Sequence, residues 1–494
     1  MELNLNVESR SRYTWRNATG NVEVTPLQFF FPENEKEIAD IIKDAEKRGL
    51  RVRAVGSGHS YSEVAVSKDY LISMKKLDKV SGTPNDCLLE PWKNRHLVNI
   101  SAGVILKELN IKLDELGLAL PNMGAVDFQT VSGALLTGTH GTGINKPAFP
   151  DIVQSIKMVG TGGELIQVEP ANGMTDPLKH GNKSALRLIK NDDVFQSAVL
   201  SIGGMGVVYE VTMEVKPTFW MREKREILKW SELRKKLVNG EFMRFVENTD
   251  FVAFRANPYE VKGDHSCAVV QQHIVGEHEK PKGWGATKRN ILSSSLGNIE
   301  YLIESTIRRM NLRPQNTPNT IDQAIRSTKD IAFFGKSHQV LYQSGLAVIR
   351  HGLSAEFAFE AKADIIVNVL ENVFKAAKQN AEIGKLYQSS HVPVRFVDAS
   401  KALLSSAYGK KTVYIDIPLL HTTIGDYELL ERYQDMMIKL GGVPHWGKMN
   451  NKLYENIEFI RQKYPRWQTW ADIRNELDPK GTFLNDFIIK MGLS

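Results

Sequence analysis

The chain has 494 residues, 42% of them hydrophobic and 24% charged, with 37 glycines and 19 prolines. This is the balance of a folded globular protein long enough for two or three domains, and it excludes collagen-like, coiled-coil and disordered chains. The net charge of +6 is spread thinly, with no dense Lys/Arg run interleaved with aromatics, so composition gives a nucleic-acid partner no support.

The first residues, Met1 to Arg16, lack the basic start and apolar run of a signal peptide. Two cysteines, Cys87 and Cys267, make no disulfide framework and no CxxC motif. No window approaches the roughly 18 uncharged apolar residues of a membrane span. The expectation is a cytoplasmic, reduced protein, and the sequon Asn17-Ala18-Thr19 then reads as coincidence. Gln28-Phe29-Phe30-Phe31 reads as a strand closed by Pro32. Asn34 is placed to cap the next helix, with Glu37 in the capping-box position. Ile38, Ile41, Ile42 and Ala45 recur at helical spacing up to Gly49. Arg51 to Val55 reads as a strand, so this unit predicts a parallel pair in an α/β layer.

Gly56-Ser57-Gly58-His59-Ser60 follows directly. Glycines there let backbone N–H groups approach a bulky anion. The dinucleotide fingerprint GxGxxG fails, because Tyr61 holds the third glycine position and no helix opens. No GKS or GKT occurs either. A helix is predicted over Ile105, Leu106, Leu109, Leu113 and Leu116, ending at Gly117. Residues 121–143 then pack five glycines, four threonines and a serine into 23 positions. Such density suits a chain wrapped around a large, flat, phosphate-bearing ligand, and equally a string of tight turns. His59 and His140 stand inside these loops; HExxH and CxxC are absent, so no metal site is expected.

Ile156 to Val159 and Leu165 to Val168 flank Gly160-Thr161-Gly162-Gly163 as a hairpin. Gly203-Gly204-Met205-Gly206 precedes a strand running to Val215 and Pro217. A last amphipathic helix carries Leu429, Leu430, Tyr433, Met436, Met437 and Leu440, and stops at Gly441-Gly442. Boundaries fall near Pro217 and Gly425.

Val55 to Ser60, the Asn122 to Gly143 loop and Pro444-His445-Trp446-Gly447-Lys448 together resemble the sugar-oxidase group of vanillyl-alcohol-oxidase-type flavoproteins, which includes the gulonolactone, arabinonolactone and alditol oxidases. Trp15 to Asn21 and Asp478 to Asn485 resemble the group's terminal signatures. The resemblance covers residues 10–215 and 385–490 and is thin over 220–380. It implies an α+β fold: a two-subdomain FAD-binding domain of the vanillyl-alcohol-oxidase type with an inserted cap domain containing an antiparallel sheet. The expected parts are 1–215 (FAD-binding), 216–425 (substrate cap) and 426–494 (returning to the FAD site).

The same resemblance implies the site. FAD is held by Gly56, Ser57, Gly58, His59 and Ser60, by Gly124, Ala125, Thr130, Gly133, Thr137, Gly138, Thr139, His140 and Gly141, and by Gly206 and Val207. His59 carries the flavin covalently, as the only tether, since residues 121–143 hold no cysteine. Gly124 leaves room for dioxygen, unless it is a turn glycine of positive φ. Lys448, His445 and Arg395 are catalytic. Flavin alcohol oxidation must point a C–H at the ring, remove the hydroxyl proton and stabilise the charge that develops.

Here the chain departs from the group. The group's glutamate two residues before the arginine is Pro393, and Ala125 replaces a substrate-contacting serine. Asp398, Asp416, Glu356 and Glu360 are candidate replacements for the missing acid. The implied function is oxidation of a CH–OH group of a sugar, alditol or aldonolactone-like molecule, with dioxygen reduced to hydrogen peroxide. The alternatives are a flavin dehydrogenase using another acceptor, an oxidase of a non-sugar alcohol, and a flavin-binding protein without catalysis.

Overall fold

In the computed structural model, which describes residues 5, 7–181, 185–280, 300–329 and 332–494, the first strand–helix–strand unit forms as its spacing requires. Gln28–Phe30 is a buried strand, and the helix Glu35–Lys47 starts where the Asn34 side chain accepts the Glu37 N–H. The Glu37 carboxylate reaches back to the Glu33 N–H, one residue beyond the expected capping-box partner. Val52–Val55 follows and runs parallel to the first strand, but the two are not neighbours. Tyr70–Ser73, buried along its whole length, lies between them and pairs in parallel with both. A fully buried strand of that kind needs a neighbour on each edge.

A six-stranded sheet forms the second layer. Its centre is the hairpin Val153–Val159 and Leu165–Glu169, whose turn falls at Gly160 to Gly163. Val207–Glu214, Leu97–Ser101 and Val80–Gly82 extend it on one side and Arg187–Lys190 on the other. The helix Leu106–Glu115 buries Leu106, Leu109 and Leu113 in the same core.

Beyond Pro217 the chain builds an eight-stranded, wholly antiparallel sheet, in the order Ala332–Lys336, Trp220–Lys229, Ser266–Val275, Phe251–Ala256, Val392–Val397, Thr412–Leu420, Gly352–Glu360, Val443–Pro444. Successive side chains on a strand point to opposite faces. Along Gly352–Glu360, Leu353, Ala355, Phe357 and Phe359 therefore share one face and join the main apolar core with Val369 and Val373 of the helix Ala363–Ile383. Ser354 and Glu356 share the other.

The two ends of the chain meet. The Val52 N–H donates to the Thr482 carbonyl at 2.8 Å. Asn485 donates to the carbonyls of Glu63, Val64 and Val66 at 3.2, 3.2 and 3.0 Å. The helix Asp426–Lys439 leads through Gly441 into Val443–Pro444, the last strand of the large sheet. No helix among the described residues is long and apolar enough to cross a membrane.

Candidate active site

Two adjoining cavities are present, one walled wholly by amino-terminal residues and one between these and the large sheet. The smaller, about 90 Å³, is walled by the loop Gly56 to Ser60, by Thr130 and Gly133, and by Gly203, Gly206 and Val207. The larger, about 290 Å³, is walled by Gly124, Ala125, Thr139, His140, Gly141 and the large sheet. They share His59, Ser60, Gln129 and Thr137, so they meet at His59. Of the residues implicated in cofactor binding, Gly138 alone lines neither cavity, and it packs instead toward Leu200.

The residues present fit a flat, phosphate-bearing cofactor. A Cβ on Gly56 would stand 2.0 Å from Thr130 Oγ1, so only glycine lets the two loops approach. His59 Nδ1 is buried with no hydrogen-bond partner. Burial pushes the imidazole down to about 4, against a backbone contact at Phe128. It is thus neutral at physiological pH, and it stands where the cavities join. The amino-terminal stretch grips this loop: the Ala18 N–H donates to the Gly58 carbonyl at 2.8 Å and Asn17 Nδ2 to the Ser60 carbonyl at 2.9 Å. Asn17 is 5% exposed, so its sequon is structural.

Arg53 went unremarked as one residue of a short strand. It is fully buried and donates to the carbonyls of Gly203 (2.6 Å), Phe483 (2.9 Å), Val64 and Ile202. It thereby clamps the third glycine cluster and the carboxyl-terminal signature to the first sheet. Burial draws its guanidinium down to about 9.

The charged side chains gather on the wall of the larger cavity, and the Lys448 turn packs against the junction, with the Tyr61 N–H donating to the Gly447 carbonyl at 2.9 Å. Arg395 projects from Val392–Val397 and pairs with Glu356, two strands away. Glu356 stands directly opposite Asp416 on the intervening strand, and both face the cavity. Among the four candidate replacements for the missing acid, Glu356 is the partner of Arg395, with Asp416 at 3.9 Å. Asp398 binds the Ala399 N–H and Glu360 pairs with Lys362, both away from the site. Lys448 Nζ lies 3.4 Å from Asp416, 3.8 Å from Glu356 and 3.1 Å from Ser354 Oγ, which itself bonds Asp416.

The two carboxylates are pushed apart. Burial raises both, but Arg395, Lys448 and His140 outweigh it at Glu356 and hold that group well below the usual range. At Asp416 burial and the Glu356 charge prevail over Lys448 and Arg395, so its affinity for a proton is raised. Burial works against the charge on Lys448, but Asp416 and Glu356 keep the ammonium firmly protonated.

His140 stacks on Tyr414 at 3.6 Å, with Nε2 3.5 Å from Glu356. His445 is pushed down to about 3, chiefly by burial, and its Nδ1 accepts the Gly447 N–H at 3.1 Å. It is therefore a neutral ring with its proton on Nε2, and its backbone N–H donates to the Glu356 carbonyl at 3.0 Å. His140, Glu356 and His445 offer ligand atoms within 4.8 Å of one another. Arg395 and Lys448 already meet that carboxylate, so the donor set stands in a cationic setting that suits an oxyanion. Gly124 does not have positive φ; a Cβ there would touch Thr139 Cγ2 at 3.1 Å, so its turn-glycine reading fails.

Comparison with known proteins adds a family. Residues 26–169 match the FAD binding domain model, and residues 211–491 match that of D-arabinono-1,4-lactone oxidase. The L-gulono-1,4-lactone dehydrogenase of Mycobacterium tuberculosis is 28% identical over 479 residues, covering 96% of this chain and 97% of that one. The structure of cholesterol oxidase from Brevibacterium sterolicum superposes with TM-score 0.77 at 15% identity, over 98% of this chain and 97% of that one. A VAO-type flavoprotein from Myceliophthora thermophila superposes with TM-score 0.62 at 14% identity, over 94% and 79%. The likeness thus runs through residues 220–380, where sequence motifs were thin.

Proposed function

Since the chain belongs to the D-arabinono-1,4-lactone oxidase family and has the fold of the VAO-type flavoproteins, we propose that this FAD-linked oxidoreductase oxidises a CH–OH group of a sugar lactone or alditol to a carbonyl, with dioxygen as the acceptor. The observation that carries this reading is the group formed by half-buried Lys448 and Arg395 with buried Glu356 and Asp416, on the wall of the cavity that His59 opens into. FAD, held by the glycine-loop residues that wall the two cavities, would supply the acceptor for the substrate's hydride.

The chain's own groups handle the proton and the charge. Lys448 and Arg395 present two fixed cations to the substrate oxygen and favour its alkoxide. Asp416 is the group matched to taking the hydroxyl proton. Its raised affinity makes it the stronger base of the carboxylate pair, and it lies within reach of Lys448 and Ser354. Glu356 stays ionised and holds Arg395, Lys448 and His140 in place. His445, neutral, supports the Glu356 backbone.

His59 is proposed as the covalent tether, on the strength of its unpartnered Nδ1. If it is, acid precipitation of the purified protein leaves the flavin colour in the pellet, and His59→Ala releases it. Colour wholly in the supernatant of the wild type overturns the tether. The central reading is tested by anaerobic mixing with D-arabinono-1,4-lactone or L-gulono-1,4-lactone, which bleaches the flavin; no bleaching by any sugar lactone or alditol overturns it. A dehydrogenase is the second reading, favoured by the name of the Mycobacterium tuberculosis relative. Gly124 favours the oxidase, and slow reoxidation in stopped flow would decide for the dehydrogenase. A cytoplasmic setting belongs to the same proposal and rests on the two unpaired cysteines.

A further inference from the structure

A second polar cluster on the cavity face of the large sheet takes no part in the chemistry above. The alternation that places Arg395 and Glu356 on that face also places Arg255, Gln272, Glu223 and Arg225 there. Ala253 stands opposite Arg395, Arg255 opposite Pro393, and Gln272 opposite Glu223. Gln343 ties the cluster together. Its Oε1 accepts from Arg225 at 3.1 Å and from Arg255 at 3.2 Å, while its Nε2 donates to Glu223 at 2.9 Å. Glu223 also accepts from Arg225 Nε at 2.8 Å and from Gln272 at 2.7 Å. The Gln343 backbone N–H donates to the Ala125 carbonyl at 2.9 Å, which braces the cluster against the glycine loop.

Arg255, Gln343 and His391 form the cavity wall at this end. The charged groups acting on His391 are both guanidiniums, Arg255 and Arg225, and together with burial they keep the ring neutral, down at about 3. Ala253 and Pro393 leave a small apolar floor between this wall and Arg395. Diagonal neighbours on adjacent antiparallel strands lie about 7–8 Å apart, which is the reach of a five- or six-carbon chain.

We infer that this wall is an oxyanion subsite, and that the preferred substrate carries a carboxylate or phosphate at the end of its carbon chain remote from the reacting CH–OH. Arg255 receives the oxyanion, Gln343 holds the guanidinium in register, and the neutral His391 offers an N–H. Pro393, where the group has a glutamate, keeps a competing negative charge off the path between the two ends. The inference rests on the lactone-oxidation reading.

The test uses the purified holoenzyme with three lactones: D-arabinono-1,4-lactone, its 5-phosphate, and D-glucaro-1,4-lactone with its free carboxylate. At least one anionic lactone should exceed the neutral one in kcat/KM by about tenfold or more, and which one does so separates the phosphate from the carboxylate source. In Arg255→Gln the anionic-to-neutral ratio should fall by about 10- to 100-fold, and Arg255→Lys should recover part of it. A neutral lactone that is turned over as well as both anionic ones overturns the subsite and leaves lactone oxidation standing. If no lactone reduces the flavin, lactone oxidation falls. The subsite is then upheld if inorganic phosphate perturbs the wild-type flavin spectrum but not that of Arg255→Gln, and overturned if it does not.

Discussion

Replacing Glu356 by glutamine removes one negative charge and little volume at a side chain 1% exposed. Two cations lose one of their two carboxylates: Arg395, which it hydrogen-bonds, and Lys448 at 3.8 Å. At an effective dielectric of about 20, a unit pair at that separation is worth about 4 kcal/mol. Breaking a buried pair from one side costs about 3–5 kcal/mol, an upper value here because Asp416 still faces Lys448 at 3.4 Å and Arg395 at 3.9 Å. Unfolding entropy of roughly 2.1 cal/mol/K per residue, over 494 residues, makes each kcal/mol worth about 1 °C, so Tm should fall measurably, by up to about 5 °C.

The same substitution has a sharper signature in the chemistry. Glu356 is one of the charges that raise Asp416, while Lys448 and Arg395 lower it. With Glu356 neutral, both cations turn to Asp416 and its proton affinity drops. The acid limb of the anaerobic flavin-reduction profile should therefore move to lower pH, with a maximal rate reduced about 10- to 100-fold. Stopped-flow reduction across pH, beside a thermal melt, reads both quantities. An acid limb that stays in place, or moves up, refutes Asp416 as the proton acceptor. A Tm within 1 °C of wild type refutes the ion-pair accounting.

Gly124→Ala should slow reoxidation of the reduced enzyme by oxygen about tenfold or more, while reduction by substrate changes far less. The new methyl group meets only the Thr139 side chain at close range, at 3.1 Å, so the fold should tolerate it. Unaltered reoxidation would remove Gly124 from the oxygen path. His445 titrates near 6.5 when unfolded but is pushed down to about 3 in the fold. Its contribution to stability is therefore complete above pH 6.5 and lost as pH falls toward about 3, with a slope of up to about 1.4 kcal/mol per pH unit. Urea titrations of His445→Gln should show a shallower acid slope by that amount, and coincident slopes would mean His445 is not buried neutral.

The sequence alone determined the parts built from contiguous residues. Glycines and hydroxyl residues in the Gly56 and Gly124–Gly141 loops, the helix cap at Asn34 and the hairpin around Gly160 are local features. Backbone approach, capping and turn geometry depend on residues a few positions apart, so they can be read from a string. The same holds for the pairing of Lys448 with its neighbours His445 and Gly447 in one tight turn.

What only the tertiary structure decided is which charges face one another. Pro393 announced a missing carboxylate, and four acids were equally placed to replace it. The choice of Glu356 follows from strand order: Val392–Val397, Thr412–Leu420 and Gly352–Glu360 lie side by side, and register sets Glu356 against Asp416. Glu356 and Arg395, 39 positions apart in sequence, are brought within ion-pairing distance by hydrogen-bond registry, which no local pattern encodes. Arg53 and the Arg255 wall were invisible for the same reason. A lone arginine in a strand looks the same whether it points to solvent or into a cavity, and the fold alone decides which face is buried.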